Sequence, residues 1–187
     1  MDEQKNVPLA HHMDPADARS CHWVLYSSSK TEKPQPIGTI RLIIYPHPPH
    51  PEPGSRHEAP GPDDPVEDSG TFFLAPPPPY VLNRATSLHD GKEPYLKLGR
   101  LCIIKEFRGK KLADVMIQAA LKWAAENANL GESGGLEWKG LVGLHAQEKA
   151  VTTWQRNGFV VDEGMETWWE AGLRMYGMFC RVDLGRK

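Results

Sequence analysis

Two stretches near the start of the chain carry the side chains that β-strands favour. Residues 21–26 and 37–45 are rich in β-branched and aromatic residues, and Ser, Lys and Pro residues separate them. The separating residues favour turns, so this part of the chain predicts a β-hairpin. Residues 96–104 predict a third strand.

Beyond residue 104 the hydrophobic positions change to a helical spacing. They recur at i, i+3 and i+4, which predicts a one-sided helix, at Leu112, Val115, Met116, Ala119, Ala120 and Trp123. Gly131, Gly134 and Gly135 end this helix or follow its end. A short hydrophobic strand at 141–145 and a second helix at 147–156 come next.

Two strands are predicted at the end of the chain. They cover 159–161, after a turn at Asn157 and Gly158, and 173–184. The order β-β-β-α-β-α-β-β predicts an α/β (α+β) fold in which helices flank a mixed central sheet. With 187 residues and no internal repeat, we expect one domain over residues 1–187.

A proline-rich insertion interrupts this pattern at about residues 46–95. It holds 13 of the 17 prolines, which favour polyproline II or irregular structure. Two interpretations stay open, a tolerated surface insertion and a substrate lid. The hydrophobic cluster at 71–74 is expected to anchor it, and an exposed polyproline segment would also suit an SH3-like or WW-like partner.

Composition excludes several classes of partner. The formal charge is −2, from 22 basic and 24 acidic residues, so we expect neither a nucleic-acid nor a membrane partner. No stretch approaches the ~20 apolar residues that span a bilayer, and no export signal is visible. The three cysteines lie far apart and no Cys, His or Asp set has zinc spacing, so we expect reduced thiols, no metal and a cytoplasmic protein.

A basic turn between the third strand and the first helix is the strongest candidate site. It reads Arg-Gly-Lys-Lys-Leu-Ala over residues 108–113. A helix start presents N–H groups without intrahelical partners and a positive dipole end, and Gly109 lets a ligand approach the backbone closely. The turn therefore predicts binding of a phosphate or pyrophosphate.

This turn resembles the cofactor loop of the Gcn5-related N-acetyltransferase (GNAT) superfamily, Arg/Gln-x-x-Gly-x-Gly/Ala. Residues 144–159 resemble the second cofactor segment of that superfamily, which ends in Gly-Phe. Residues 170–178 resemble the Glu-Asp-Gly-Ile-x-His-x-x-Met ending of its ElaA-like branch, and residues 2–17 resemble the start of that branch. The resemblance implies the GNAT fold, with a mostly antiparallel central sheet and a shortened N-terminus, because a further strand and helix normally precede that start.

The same resemblance implies acetyl-CoA as the donor and assigns residues to its site. The backbones of Leu101, Cys102 and Ile103 are expected to pair with the pantetheine arm and to polarise the thioester carbonyl. The pyrophosphate is expected at the loop, which consists of Arg108, Gly109, Lys110, Lys111, Leu112 and Ala113. Trp154 stands where the family has a tyrosine that often protonates the leaving thiolate.

Three departures from the family pattern fall at or near these positions. Lys111 replaces the internal glycine of the loop, Trp154 replaces the tyrosine and Met175 replaces the histidine near the end. An indole N–H does not serve as a general acid and a thioether does not titrate. Lys111 either crowds the pyrophosphate or adds a cation to it.

The catalytic candidates are His145, Glu148 and Glu170, with His22 in second place. The ordinary pKa of His145 suits a general base, and a core histidine is the alternative. Glu148 either positions an amine or serves as a first-turn carboxylate, and Glu170 lies in a turn that flanks the expected acceptor cleft. Trp168 and Trp169 either line an acceptor pocket or cover a sheet edge.

Together these features predict an N-acetyltransferase that transfers an acetyl group from acetyl-CoA to a primary amine by direct attack. The acceptor is a small-molecule or peptide amine, and a homodimer is possible through the final strand. The alternative is an acyl-CoA-binding sensor or interaction module that has the fold and lacks efficient chemistry.

Overall fold

The computed structural model describes residues 8, 11–28, 33–65, 79–131 and 136–185. Its strands are β1 (Ser20–Tyr26), β2 (Pro36–Ile43), β3 (Arg56–His57), β4 (Leu96–Ile103), β5 (Leu141–Gln147), β6 (Val160–Val161), β7 (Thr167–Glu170) and β8 (Leu173–Arg181). The two α-helices of the described residues are α1 (Leu112–Glu126) and α2 (Val151–Arg156). The strands form one sheet in the order β1-β2-β4-β5-β8-β7-β3, and β6 pairs with β8.

The sheet is mixed. Neighbours β1 and β2, β2 and β4, β5 and β8, and β7 and β8 are antiparallel. Strands β4 and β5 are parallel, which requires a crossover, and α1 supplies it. The predicted fold class is therefore confirmed.

Both helices lie on one face of the sheet, here called the helix face. Ile117 and Ala120 of α1 are fully buried in a cluster with Leu98, Val142 and Met178 of the sheet. At the edge of this face the rings of Trp23 and Trp123 meet at 5.5 Å in a T-shaped contact. The helical spacing in the sequence thus corresponds to the buried stripe of α1.

The described parts of the proline-rich insertion cover the opposite face, here called the insertion face. A second hydrophobic cluster lies there, formed by Tyr95, Leu141, Met165, Trp168, Met175 and Phe179. His47 and His50 are buried beside it, and the Nε2 atom of His47 lies 2.7 Å from the carbonyl oxygen of Tyr95. The described parts of the insertion are therefore an integral layer of the domain.

The structure adds two strands to the predicted order. Strands β3, inside the insertion, and β7, just before the final strand, were not predicted as strands. The predicted helix at 147–156 is a 3-10 turn, Glu148–Ala150, followed by α2, and the final strand ends at Arg181 rather than at 184. The cluster at 71–74 lies outside the described residues.

The segment before β1 is attached to the sheet by one buried arginine. Arg41 of β2 is 7% exposed, and its Nη1 atom lies 2.9 Å from a carboxylate oxygen of Asp14 and 2.5 Å from one of Asp17. Asp14 and Asp17 thus both neutralise Arg41, and Asp14 also pairs with Arg100 at 2.7 Å. In the described ranges no helix has the length and hydrophobicity needed to cross a membrane.

Candidate functional site

A gap between β4 and β5 lies at the centre of the sheet. The two strands pair only through Leu96–Val142, Lys97–Gly143 and Leu98–Leu144, although β4 continues to Ile103 and β5 to Gln147. Two residues after the last pair, Arg100 takes a left-handed conformation (φ 49°), and the register with β2 shifts there. Such a bulge bends a strand, and beyond Leu98 and Leu144 the two strands no longer pair. The unpaired part between them is here called the cleft.

The cofactor-binding candidates Leu101, Cys102 and Ile103 follow the bulge along this cleft. On their other side Cys102 and Ile103 pair with Thr39 and Gly38 of β2, so β2 holds this part of β4 in place. The side chain of Cys102 is exposed, whereas that of Ile103 is buried. A ligand with amide groups is able to add a strand here through backbone hydrogen bonds.

The basic loop lies between the end of β4 and the start of α1. The Nε atom of Arg108 donates a hydrogen bond to the carbonyl oxygen of Ile103 (2.8 Å), which fastens the loop to the strand. Gly109 has a φ of 76°, and a Cβ built there meets nothing within 4 Å. Lys111, the residue before α1, is also left-handed (φ 58°, ψ 19°). The family's glycine at this position thus corresponds to a conformation that suits glycine.

The first turn of α1 is open to an anion in spite of a carboxylate. Asp114 lies in that turn, but its oxygens accept hydrogen bonds from Asn157 (2.8 Å) and Arg156 (3.0 Å). These donors lower the pKa of Asp114 and balance its charge. Leu112 and Ala113 begin the helix, and their N–H groups have no intrahelical acceptor.

On the insertion face, three ionisable side chains meet where β5 leaves β4. His145 directly follows the last β4–β5 residue pair, and its Nδ1 atom lies 3.3 Å from Oε1 of Glu170. The Nζ atom of Lys97 lies 3.4 Å from the same Nδ1 atom. Trp168 donates its indole N–H to Glu170 at 2.7 Å, and its ring packs edge-on against His145 at 4.7 Å.

Burial changes the pKa of each member of this cluster. It lowers the pKa of His145 to about 4, with a further contribution from the charge on Lys97. It lowers the pKa of Lys97 to about 8, although Glu170 acts in the opposite direction. Burial alone would raise the pKa of Glu170, but hydrogen bonds from His145 and Trp168 lower it to about 2. At neutral pH the cluster therefore holds a neutral imidazole between an ammonium and a carboxylate.

The other two catalytic candidates lie elsewhere. Glu148 accepts a hydrogen bond from the hydroxyl of Tyr176 (3.1 Å) and lies 3.5 Å from Nη1 of Arg174, and its side chain is 62% exposed. Side chains alternate between the faces of a strand, so Tyr176 and His145, whose β8 partner is Gly177, lie on opposite faces. His22 lies on β1, where its Nε2 atom approaches the carbonyl oxygen of Asp17 (3.3 Å).

Trp154 and Met175, which replace titratable residues of the family pattern, are both buried. Trp154 is 4% exposed and packs edge-on against Phe159 at 5.3 Å. Met175 is 7% exposed and lies opposite Trp168 in the register of β7 and β8. Both positions thus contribute to packing.

The insertion borders the cluster through β3, a strand that the sequence did not indicate. His57 of β3 lies opposite Glu170 in the register of β3 and β7, and the N–H of Ala171 donates a hydrogen bond to the carbonyl oxygen of His57 (2.8 Å). Lys97 was also missed, because a lysine between two leucines of a strand is the ordinary pattern of a solvated face. Trp168 and Trp169 lie on opposite faces of β7. Trp168 is fully buried, whereas the Cζ atom of Arg56 lies 4.9 Å from the ring centroid of Trp169 on the helix face.

Among the residues that the structure describes, no three His, Cys, Asp or Glu side chains are grouped so that they could hold a metal ion.

Comparison with known proteins gives matches in structure. No family model matches the chain, and neither does any curated protein. The fold is similar to that of Escherichia coli ElaA (TM-score 0.50, 16% identity, 95% of this chain and 80% of that chain). Other similar structures are an acyl-CoA N-acyltransferase from Pseudomonas aeruginosa (TM-score 0.40, 18% identity, 78% and 61%) and a spermidine N-acetyltransferase SpeG chimera from Vibrio cholerae (TM-score 0.45, 15% identity, 89% and 70%).

The motif resemblance and the structural similarity agree on one architecture. The mixed, mostly antiparallel sheet with flanking helices and the loop between β4 and α1 match the expectation from the sequence. The chain has the fold of the Gcn5-related N-acetyltransferases, with a likeness to ElaA.

Proposed function

We propose that the chain is an N-acetyltransferase that binds acetyl-CoA and acetylates a primary amine. The observation that carries the proposal is the cleft between β4 and β5, which has the basic loop at one end and the His145–Glu170 pair on its wall. A binding site for an anionic donor and a neutral imidazole are thus brought to one opening in the sheet.

The donor would be held mainly by backbone groups. The amides of the loop from Arg108 to Ala113 suit the pyrophosphate, with Lys110 and Lys111 as additional cations, and the strand residues Leu101 to Ile103 suit the pantetheine arm. Bound there, acetyl-CoA supplies the thioester that the amine attacks. Holding the two reactants in alignment contributes ~7–11 kcal/mol toward such a reaction.

The acceptor amine has to lose a proton as it attacks, and His145 is the group we assign to take it. Its lowered pKa means that the imidazole is neutral at neutral pH, so one of its two nitrogens carries no proton. Glu170, held by Trp168, orients the ring and would stabilise the imidazolium that forms. Trp154 offers no acid for the departing thiolate, so water has to protonate it.

Calorimetric titration of acetyl-CoA into the purified chain tests the donor site. We expect binding by the parent and a loss of at least tenfold in affinity for Gly109→Glu, which places a negative charge in the loop. Gly54→Glu is the matched control, because Gly54 has a similar φ of 70° and equally open surroundings in the insertion. Unchanged binding by Gly109→Glu, or equal losses in both variants, would contradict the site.

Transfer is tested with a panel of amines, namely spermidine, glucosamine, tyramine and a peptide with one lysine. We expect acetylation of at least one of them, and a loss of about 10²-fold or more in kcat/KM for His145→Gln, the usual effect of removing a general base. Glu126→Gln, a change at an exposed glutamate at the end of α1, is the control.

A second candidate function is an acyl-CoA-binding sensor without efficient chemistry. The observation in its favour is that Trp154 and Met175 fill the core at positions where the family has titratable residues. Tight binding of acetyl-CoA with no transfer to any amine of the panel would support the sensor over the enzyme.

A further inference from the structure

The Nδ1 atom of His145 has two neighbours, an ammonium that donates hydrogen bonds and a carboxylate that accepts them. The Nδ1 atom of His145 lies 3.4 Å from the ammonium of Lys97 and 3.3 Å from the carboxylate of Glu170. In a neutral imidazole one nitrogen carries the proton and the other accepts. Nδ1 therefore either accepts a hydrogen bond from Lys97 or donates one to Glu170, and it does only one of these at a time.

The choice at Nδ1 fixes the state of the other ring nitrogen. While Lys97 keeps its proton, it donates to Nδ1, and the ring proton resides on Nε2, which then has no lone pair for an amine. When Lys97 loses its proton, the ring proton moves to Nδ1, which donates to Glu170. Nε2 then becomes the acceptor, and it has no hydrogen-bond partner among the described residues. One proton leaves the cluster in this change.

We propose that Lys97 is a positioning residue that selects the tautomer of His145, so that the ring is a base at Nε2 only after Lys97 has released its proton. The tautomer selection stands on the geometry of the three side chains alone. Its effect on acetyl transfer rests on the proposed function.

Other charged groups around the cluster act on the same equilibrium. Asp14, on the segment before β1, favours the protonated form of Lys97, whereas Arg41 of β2 disfavours it. His57 of β3 adds positive charge on the His145 side when it is protonated. His47 and His50 of the insertion are sensitive to the charges on Lys97 and His145. Burial of Lys97 lowers its pKa to about 8, which brings the release of its proton close to the neutral range.

Nitrogen NMR of histidine-labelled protein reads the tautomer directly, without any substrate. In the parent we expect the ring proton of His145 on Nε2 at pH 6.5 and on Nδ1 at pH 9.5, with the signal assigned by its loss in His145→Gln. Lys97→Met should keep the proton on Nδ1 at both values, and Lys97→Arg should keep it on Nε2. The same tautomer in the parent and in Lys97→Met at every pH would overturn the proposal.

The pH dependence of acetyl transfer gives a second readout, measured with the panel amine that is acetylated fastest. The ratio of kcat/KM for Lys97→Met to that of the parent cancels the ionisation of the amine itself. We expect this ratio to be about ten at pH 7 and about one at pH 9, following the protonated fraction of Lys97. Lys122→Met, a change at an exposed lysine of α1, should give a ratio near one throughout. A ratio near one at every pH for Lys97→Met would contradict the control of catalysis by Lys97.

The two readouts separate this proposal from the proposed function. A tautomer change in the NMR spectra together with no transfer to any amine would reject the enzyme and support the selection by Lys97. Transfer by the parent with an unchanged tautomer would support the enzyme and reject the selection by Lys97. Lys97→Leu serves as the second variant without a donor, so that misfolding of Lys97→Met, checked by thermal unfolding, leaves the test intact.

Discussion

The carboxylate of Asp162, which follows β6, accepts a hydrogen bond from the hydroxyl of Thr86 in the insertion, 76 residues earlier in the chain. Asp162 is fully buried and also accepts from the N–H groups of Ser87 and Leu88 at 3.0 Å each. Gly164 and Met165, in the turn after β6, complete its set of donors. This one side chain therefore joins the insertion to the sheet.

Asp162→Ala should lower the free energy of unfolding by about 3 kcal/mol, because it leaves several buried donors without an acceptor. Urea denaturation of the parent and the variant measures this difference. Glu163→Ala, at the exposed neighbouring residue, is the control and should change it by less than about 0.5 kcal/mol. A loss below 1 kcal/mol for Asp162→Ala would contradict this anchoring role.

Acid should destabilise the protein through its buried histidines. Burial lowers the pKa of His47 from 6.5 to about 3 and that of His50 from 6.5 to about 4. Below pH 6.5 the unfolded chain therefore binds more protons than the folded chain. Stability is fully present above this pH and falls below it, by up to about 1.4 kcal/mol per pH unit for each histidine.

Urea denaturation at a series of pH values between 7.5 and 4 measures how the free energy of unfolding changes with pH. His145, with a pKa lowered to about 4, adds to it. In His50→Gln the slope should become smaller by about the contribution of one histidine. A free energy of unfolding that is constant from pH 6.5 to 4.5 would reject the prediction.

The left-handed conformation of Lys111 should make the parent no more stable than a variant with glycine at this position. Its φ of 58° costs a residue with a side chain about 1 kcal/mol, so Lys111→Gly should unfold at the same or a higher temperature. Lys111→Val should be destabilised, because a β-branched residue fits this conformation poorly. If the Lys111 ammonium contacts the pyrophosphate, both variants should bind acetyl-CoA more weakly in calorimetry, whatever their stability.

Trp154→Phe should lower the stability of the protein and leave its turnover nearly unchanged. The indole is buried against Phe159, so we expect a loss of about 1–3 kcal/mol in the free energy of unfolding. Because the indole is no proton donor in the reaction, kcat should change by less than about threefold at temperatures well below the midpoint. A thousandfold loss of kcat with acetyl-CoA binding intact would give Trp154 a role in the chemistry.

The sequence predicted those parts of the fold in which one pattern of side chains dominates. The stripe of α1 and the β1–β2 hairpin follow from periodicity, and the loop at 108–113 follows from its glycine and its cations. The strand β3 has two polar residues in a proline-rich segment, so it carries no periodic signal, and it exists because β7 offers it an edge. His145 and Glu170 were separate candidates, and only the pairing of β5, β8 and β7 brings them together. Lys97 had no sequence signal at all.

Since β4 and β5 share only three residue pairs, two halves of the sheet, β1-β2-β4 and β5-β8-β7-β3, are joined by few backbone hydrogen bonds and by the core on the helix face. The insertion leaves the first half after β2, bonds to the second half through β3 and Asp162, and returns to the first half at β4. We therefore expect the insertion to act as a brace that limits the angle between the halves. Substitutions in this brace would change the width of the cleft, and with it the fit of donor and acceptor, from positions that touch neither.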